Sequence, residues 1–140
     1  MNDEERLEKV QEVLSELSLL AEDHILLIEG MKDKRSLETL GIEGMMFMIQ
    51  SEGGPMKAAE FVYHNNKKAV ILTDWDRKGG TIASELSKQL SSLGVEYDTS
   101  IRAKLSVLCK KYVKDVESLD SVVERLTADT SAIKTDDMIP

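Results

Sequence analysis

Hydrophobic residues recur along the chain in two alternating patterns. The first is a three- and four-residue spacing after Asp3, a candidate N-cap, with acids between the apolar positions, which predicts an amphipathic helix of about 20 residues. The second is a short continuous apolar run, Ile25 to Ile28, which stops at Glu29 and predicts a strand buried on both faces of a parallel sheet. We therefore assign residues 1–23 to an acidic N-terminal helix.

The same alternation continues through the rest of the chain. Three further strands are predicted from apolar runs, at 45–49, 69–73 and 95–97. Helices are predicted from their apolar spacing, at 33–40, 56–63, 82–93, 101–113 and 115–126. Strands that alternate with helices indicate an α/β domain with a parallel sheet and right-handed crossovers. We assign this domain to residues 24–127 and predict a disordered polar tail over 128–140.

Size and cysteine content describe one soluble domain. A chain of 140 residues buries roughly 70% of the surface that it exposes when unfolded, so neither disulfides nor a structural metal are needed. Cys109 has no partner for an intramolecular disulfide, which predicts a reducing, cytoplasmic compartment. The longest apolar run, at 45–49, is far shorter than the ~20 residues that cross a bilayer, so no membrane association is expected.

Taken alone, the net charge of −8 argues against nucleic acid as a partner, because phosphate backbones are bound mainly through Lys and Arg. The acids are unevenly placed, however. Residues 1–23 carry −6 and the other 117 residues only −2. Nucleic acid therefore stays open as a partner, and the acidic N-terminal helix is a candidate contact for a protein partner.

Carboxylates follow two of the predicted strands at the point where each strand ends. Glu29 follows the first strand, and Asp74 and Asp76 follow the third. Ligands of parallel α/β sheets bind beyond the carboxyl ends of the strands, so these side chains converge if the two strands are neighbours. Two such charges 4 Å apart repel by roughly 4 kcal/mol at an effective dielectric of 20. The set predicts a hard cation, Mg²⁺, held by Glu29, Asp74 and Asp76.

Basic residues and glycines come directly after the pair of acids Asp74 and Asp76. Arg77 and Lys78 are suited to phosphate oxygens, and Gly79 and Gly80 open the next predicted helix. Glycines permit close backbone approach, and a helix N-terminus offers unpaired N–H groups to an anion. We therefore predict a phosphoryl-transfer site, formed by the carboxylates, the cation they would bind, the basic pair and the helix terminus.

Two strings of the chain resemble the signature motifs of the Toprim domain, which topoisomerases, bacterial-type primases and small ribosomal-RNA maturases share. They are Ile28-Glu29-Gly30-Met31-Lys32-Asp33 and Asp74-Trp75-Asp76-Arg77-Lys78-Gly79-Gly80-Thr81-Ile82-Ala83. The resemblance covers about residues 24–120. It implies a three-layer, Rossmann-like fold whose central, mainly parallel four-stranded sheet is flanked by helices.

The resemblance also implies roles for the site residues. Glu29 takes the place of the glutamate that acts as general acid and base, and it is a further metal candidate. Asp74 and Asp76 take the place of the aspartates that coordinate Mg²⁺, and Arg77 is counted with them as catalytic. Lys32 and Asp33 match the first motif and support the site. Gly80 departs from the topoisomerase pattern, which has another glutamate there.

A basic stripe between Arg102 and Lys114 is a second candidate surface for nucleic acid. The candidate nucleic-acid-binding residues are Lys32, Arg77, Lys78, Gly79, Gly80, Lys110 and Lys111.

Three functions fit these residues to different degrees. The leading one is Mg²⁺-dependent phosphodiester chemistry on RNA or DNA, in a small nuclease or RNA-processing protein. The second is a non-catalytic module that binds nucleic acid or docks on a larger processing complex. The third, a phosphatase of the haloacid-dehalogenase type, also has Asp-x-Asp after a strand, but it expects threonine where this chain has Lys78 and leaves Glu29 unexplained.

Overall fold

Helices and strands alternate along the chain in the computed structural model, which describes the backbone of residues 1–138 and the side chains of residues 1–130. In chain order the elements are α1 (Asp3–Leu20), β1 (His24–Ile28), α2 (Met31–Thr39), β2 (Met46–Met48), α3 (Ile49–Glu52), α4 (Gly54–His64), β3 (Lys68–Ile71), α5 (Arg77–Ser92), β4 (Tyr97–Asp98), α6 (Ser100–Cys109) and α7 (Leu119–Met138). The order of strands and helices follows the prediction with shifted ends, except that the short helix α3 was not predicted.

The four strands form one parallel sheet in the order β2-β1-β3-β4. Leu26 on β1 pairs with Met46 on one side and with Val70 on the other, and Val70 also pairs with Asp98. The predicted fold class, α/β with a parallel four-stranded sheet flanked by helices, is confirmed. Since β1 and β3 are neighbours, the residues that follow them lie at one edge of the sheet.

Helices cover the sheet on both faces, and alternate side chains of β1 and β3 enter two separate cores. Leu26, Ile28 and Val70 pack in the core that α1, α2, α6 and α7 cover. Ile25 and Leu27 pack in the core that α4 and α5 cover. These strand side chains are fully buried, which explains why the strands read as unbroken apolar runs.

The acidic helix α1 is part of the first core. Val10 and Leu17 are fully buried, and the helix packs against α6 and α7. Its acids occupy the outer face, where Glu16 forms an ion pair of 3.0 Å with Lys104 on α6. The predicted boundary after residue 23 therefore separates elements that share one core.

The segment between α6 and α7, residues 110–118, is irregular where helices were predicted up to residue 113 and from residue 115. Trp75 holds this connecting segment: its Nε1 donates to the Val113 carbonyl at 2.7 Å, and its backbone N–H donates to the Lys114 carbonyl at 2.9 Å. The N–H of Val116 donates to Asp74 Oδ1 instead of to a helix carbonyl. Tertiary hydrogen bonds thus replace the predicted helical ones.

The structure also differs from the predicted disordered tail over 128–140, because α7 continues without a break to Met138. Thr130 is buried on this helix, so its packed face extends beyond residue 128, and residues 139 and 140 lie outside the described part of the chain. α7 is the longest of the described helices, at 20 residues. Within the described residues, no helix combines the length and the apolar character needed to cross a membrane.

Replacing a buried leucine of α1 tests whether the helix is integral to the fold. We expect Leu17→Ala, at a fully buried position, to lower the free energy of unfolding by about 2–5 kcal/mol. The control, Leu19→Ala on the same helix, removes a side chain that is 68% exposed and should change it by less than about 0.5 kcal/mol. Urea denaturation measures both, and equal effects would contradict the packing of α1.

Candidate active site

Glu29 lies at the end of β1, and its side chain is only 5% exposed. Its Oε2 accepts the backbone N–H of Asp74 at 2.8 Å. Because Asp74 follows β3, this hydrogen bond joins the carboxyl ends of the two central strands. The structure thus brings together the first two predicted site residues, as the strand order requires.

Asp74 has an unusual electrostatic environment. Burial is the main cause that raises its pKa to about 7, and the hydrogen bond from the Val116 N–H to Oδ1, at 3.0 Å, opposes the shift. The negative charges of Glu29 and Asp33 raise this pKa further. Glu29 and Asp33 therefore lie close enough to Asp74 to disfavour its ionisation.

Asp33 is the third carboxylate at this edge and is buried, at 5% exposure. It lies in the first turn of α2, where its Oδ2 accepts the Gly30 N–H at 2.9 Å. Burial raises the pKa of Asp33, and the charges of Glu29 and Glu117 add to the shift. We refer to Glu29, Asp33 and Asp74 as the acidic cluster.

Asp76, the third predicted metal ligand, is exposed and serves as the N-cap of α5. Its Oδ1 accepts the Gly79 N–H at 2.7 Å, and its carbonyl accepts the Gly80 N–H at 3.0 Å. The N–H groups of both glycines are thus used within α5. The expectation that these two residues offer free N–H groups to a phosphate does not match the structure.

Gly79 has a packing role instead. A Cβ added at Gly79 would lie 1.8 Å from the Asp74 carbonyl oxygen, a distance that no side chain can occupy. The Thr73 hydroxyl also donates to the Gly79 carbonyl at 2.7 Å. At Gly80 an added Cβ would meet its nearest atom, Arg102 Nη2, at 3.8 Å, which is ordinary contact. Only the first glycine is required by the approach of α5 to the end of β3.

Arg102 on α6 was not recognised in the sequence as a residue of this site. Its Nε donates to the Thr73 carbonyl at 3.0 Å, and its Nη2 donates to the Asp74 carbonyl at 2.6 Å. Spacing alone places Arg102 in the basic stripe. The strand order places β4 beside β3, so α6, which follows β4, returns to this edge of the sheet. That order is the signal that could have indicated the contact of Arg102 with Thr73 and Asp74.

The basic residues that were predicted to bind nucleic acid lie on several different elements. Lys32 is exposed in the first turn of α2, and Arg77 and Lys78 are exposed in the first turn of α5. Lys110 and Lys111 are exposed on the connecting segment rather than on α6. The predicted helical stripe is therefore divided between helix and loop.

The acidic cluster does not amount to a formed metal centre. Among residues 1–130, no group of three or more His, Cys, Asp or Glu side chains has the arrangement that would hold a metal ion. One oxygen of each carboxylate in the cluster already accepts a backbone N–H: Glu29 Oε2, Asp33 Oδ2 and Asp74 Oδ1.

Fold and site together define a three-layer α/β protein with buried acids at the carboxyl edge of a parallel sheet. The chain is 40% identical to a UPF0292 protein of Methanosarcina barkeri over 126 residues, which cover 89% of this chain and 87% of that protein. It is 34% identical to a UPF0292 protein of Methanocaldococcus jannaschii, covering 89% of this chain and 98% of the relative. The chain belongs to the UPF0292 family.

A solved structure, described as a putative protein from Aquifex aeolicus, has a similar fold. It aligns with a TM-score of 0.66 and 24% sequence identity, over 78% of this chain and 96% of that one. At this identity the similarity supports the fold alone.

The identification as a Toprim domain was wrong. No family model matches the chain, and its relatives are named UPF0292 proteins. The two strings that suggested the resemblance have local structural roles here. Asp33 accepts the N–H of Gly30 just before α2, Asp76 accepts the N–H of Gly79 in the first turn of α5, and Gly79 allows a close backbone approach. Such residues suit any strand that leads through a tight turn into a helix.

The two glycines of α5 provide a matched test of the close approach. We expect Gly79→Ala to destabilise the fold by about 1–3 kcal/mol, because its methyl group would displace the Asp74 carbonyl. Gly80→Ala should be neutral or stabilising by up to about 1 kcal/mol, since alanine favours helix and contacts nothing closely. Thermal unfolding of both variants measures the difference, and a Gly79→Ala protein as stable as Gly80→Ala would contradict the packing.

The raised pKa of Asp74 predicts a pH dependence of stability. Its value in the fold, about 7, lies above the ordinary 3.8, so the folded protein binds an extra proton between these limits. The contribution of this group to stability is present below about 3.8 and is lost as the pH rises to about 7. In chelator above this pH, we expect Asp74→Asn to be more stable than wild type by on the order of 1 kcal/mol.

Urea denaturation across this pH range measures the effect. The asparagine Oδ1 can still accept the Val116 N–H, so the variant removes the charge and keeps the hydrogen bond. A wild-type pH slope in Asp74→Asn would contradict the assigned environment.

Proposed function

We propose that this protein binds Mg²⁺ at the acidic cluster and cleaves phosphodiester bonds in nucleic acid, RNA or DNA, in the cytoplasm. The observation that carries the proposal is the crowding of Glu29, Asp33 and Asp74 beyond the ends of two parallel strands, which contributes to raising the pKa of Asp74 to about 7. Buried carboxylates with strongly shifted pKa values are typical of functional sites. Loops at this edge of a parallel sheet are also where ligands bind.

The acidic cluster fits a hard cation in its chemistry. All its donors are carboxylate oxygens, which Mg²⁺ prefers. A backbone N–H occupies one oxygen of each carboxylate, so the second oxygen of each is the one that an ion would contact. The guanidinium of Arg102, which contacts the backbone of Asp74, is engaged with two backbone carbonyls. Asp76 would join this set through Oδ2, because its Oδ1 caps α5.

Each group of the chain then has a task in the reaction. When bound, Mg²⁺ supplies charge stabilisation for the phosphate and the leaving oxygen. Glu29, held by the Asp74 N–H, accepts the proton of the attacking water and returns it to the leaving group. Arg77 and Lys78 lie in the first turn of α5, where the helix dipole disfavours cations. A substrate phosphate at this place would offset that repulsion.

The second candidate function is a non-catalytic module that docks on a larger processing complex. The outward face of α1 favours it, because the helix buries its apolar side in the fold and presents acids to solvent. The two functions differ in one readout, since a docking module has no Mg²⁺-dependent turnover.

We expect Glu29→Gln to lower turnover by about 10²–10⁴-fold, because glutamine can accept the Asp74 N–H but cannot take a proton. Asp74→Asn should instead weaken Mg²⁺ binding, since it removes a charged ligand. Labelled structured RNA, single-stranded DNA and duplex DNA, each with Mg²⁺ or chelator, provide the assay. Isothermal titration measures Mg²⁺ binding directly.

The control is Glu43→Gln, which neutralises an exposed carboxylate outside the acidic cluster and should keep wild-type turnover. Cleavage that persists in chelator would exclude the metal-dependent reaction. Mg²⁺ binding without turnover on any of the three substrates would favour the docking module.

A further inference from the structure

Three cationic side chains surround one tyrosine ring on the face of the molecule that α1, α6 and α7 form. The charged groups of Arg6 on α1, Lys111 on the connecting segment and Arg125 on α7 lie 5.5, 5.7 and 5.1 Å from the centroid of the Tyr112 ring. Cations within about 6 Å of an aromatic face are attracted to it. We call these four residues the tyrosine cluster. They concentrate positive charge in a chain of net charge −8.

Acids offset only part of this charge. Asp3 accepts the Tyr112 hydroxyl at 2.9 Å, and Asp129 lies 4.0 Å from Arg125 Nε. Arg6 and Lys111 form no ion pair with any side chain of residues 1–130.

Arg6 also has unused hydrogen-bonding capacity. Its Nη1 donates to the Leu108 carbonyl at 2.6 Å, while its Nε is buried and has no acceptor within residues 1–130. A desolvated donor without an acceptor is unfavourable. The charge that an anion would meet comes from the exposed side chains of Lys111 and Arg125 and from the half-buried guanidinium of Arg6, whose Nε stays unsatisfied within the described residues.

The connecting segment links the tyrosine cluster to the acidic cluster. Val113, next to Tyr112, accepts the Trp75 indole N–H, and Val116 donates to Asp74 Oδ1. From Tyr112 to Val116 is four residues, at most about 14 Å of extended chain. One nucleic-acid strand could thus contact both clusters at once.

We infer that the tyrosine cluster is a phosphate-binding site that holds a phosphodiester of a nucleic-acid strand beside the acidic cluster. Arg6 and Arg125 present the guanidinium groups that suit phosphate oxygens, and Lys111 adds a flexible point charge. Binding of phosphate here requires no metal. Its nucleic-acid form rests on the proposed function.

Oligonucleotide binding in chelator at increasing potassium chloride tests this site. The double variant Lys111→Gln/Arg125→Gln removes two exposed cations and leaves the half-buried Arg6 in place. The slope of log affinity against log salt should fall in magnitude by about 1.4 with single-stranded ligand, at about 0.7 for each lost contact. The variant Lys111→Arg/Arg125→Lys keeps both charges and should keep the wild-type slope. A changed slope in this variant would show that substitution at these positions disturbs the fold.

A matched control is Lys57→Gln/Lys88→Gln, which removes two exposed cations from α4 and α5 on the opposite face. It should leave the slope unchanged. A wild-type slope in Lys111→Gln/Arg125→Gln would overturn the nucleic-acid form of the inference.

Nuclear magnetic resonance separates the two sources of phosphate. Amide signals of residues 110–113 that move with inorganic phosphate in wild type, and not in the double variant, identify a site for the free ion. Signals that move only with the oligonucleotide identify the nucleic-acid backbone. No movement with either ligand overturns the site. Loss of turnover in Glu29→Gln is independent of all these outcomes, so failure here and failure of the metal chemistry are distinguishable.

Discussion

The hydrogen bond from the Asp74 N–H to Glu29 Oε2 joins the two central strands at the point where the sheet ends. Around it the chain holds several groups in fixed positions. Arg102 binds the carbonyls of Thr73 and Asp74 from α6, and α5 approaches the same peptide so closely that residue 79 has no room for a side chain. The site is therefore assembled by backbone hydrogen bonds, and the orientation of its carboxylates follows from the fold.

This arrangement holds the carboxylates of the acidic cluster close together at the carboxyl edge of the sheet, which is electrostatically unfavourable. Glu29 and Asp33 are almost fully buried, and burial together with mutual repulsion raises the pKa of Asp74. The two apolar cores on either side of the sheet provide the stability that tolerates such crowding, with α1 completing the first of them. A ligand that neutralises the cluster would consequently stabilise the fold as well as occupy the site.

The sequence was informative where a local pattern determines the structure. Apolar runs identified the buried strands, and the acids that follow them identified the edge where Glu29 and Asp74 meet. It was misleading where tertiary contacts compete with helical ones, as in the connecting segment that Trp75 and Asp74 hold. The contact of Arg102 could not be predicted, because it depends on the order of the strands in the sheet. The Toprim identification failed because the same short motifs also provide helix caps and room for close backbone packing.

The ionisation of Asp74 tests the acidic cluster most directly, and carbon-detected nuclear magnetic resonance of its carboxyl group can follow it. In chelator, the pKa should be near 7, and Glu29→Gln should lower it by removing a neighbouring charge. Added Mg²⁺ should also lower the apparent pKa in wild type, because the ion competes with the proton for this carboxylate. A pKa near the ordinary 3.8 that responds to neither change would contradict the interaction of these carboxylates.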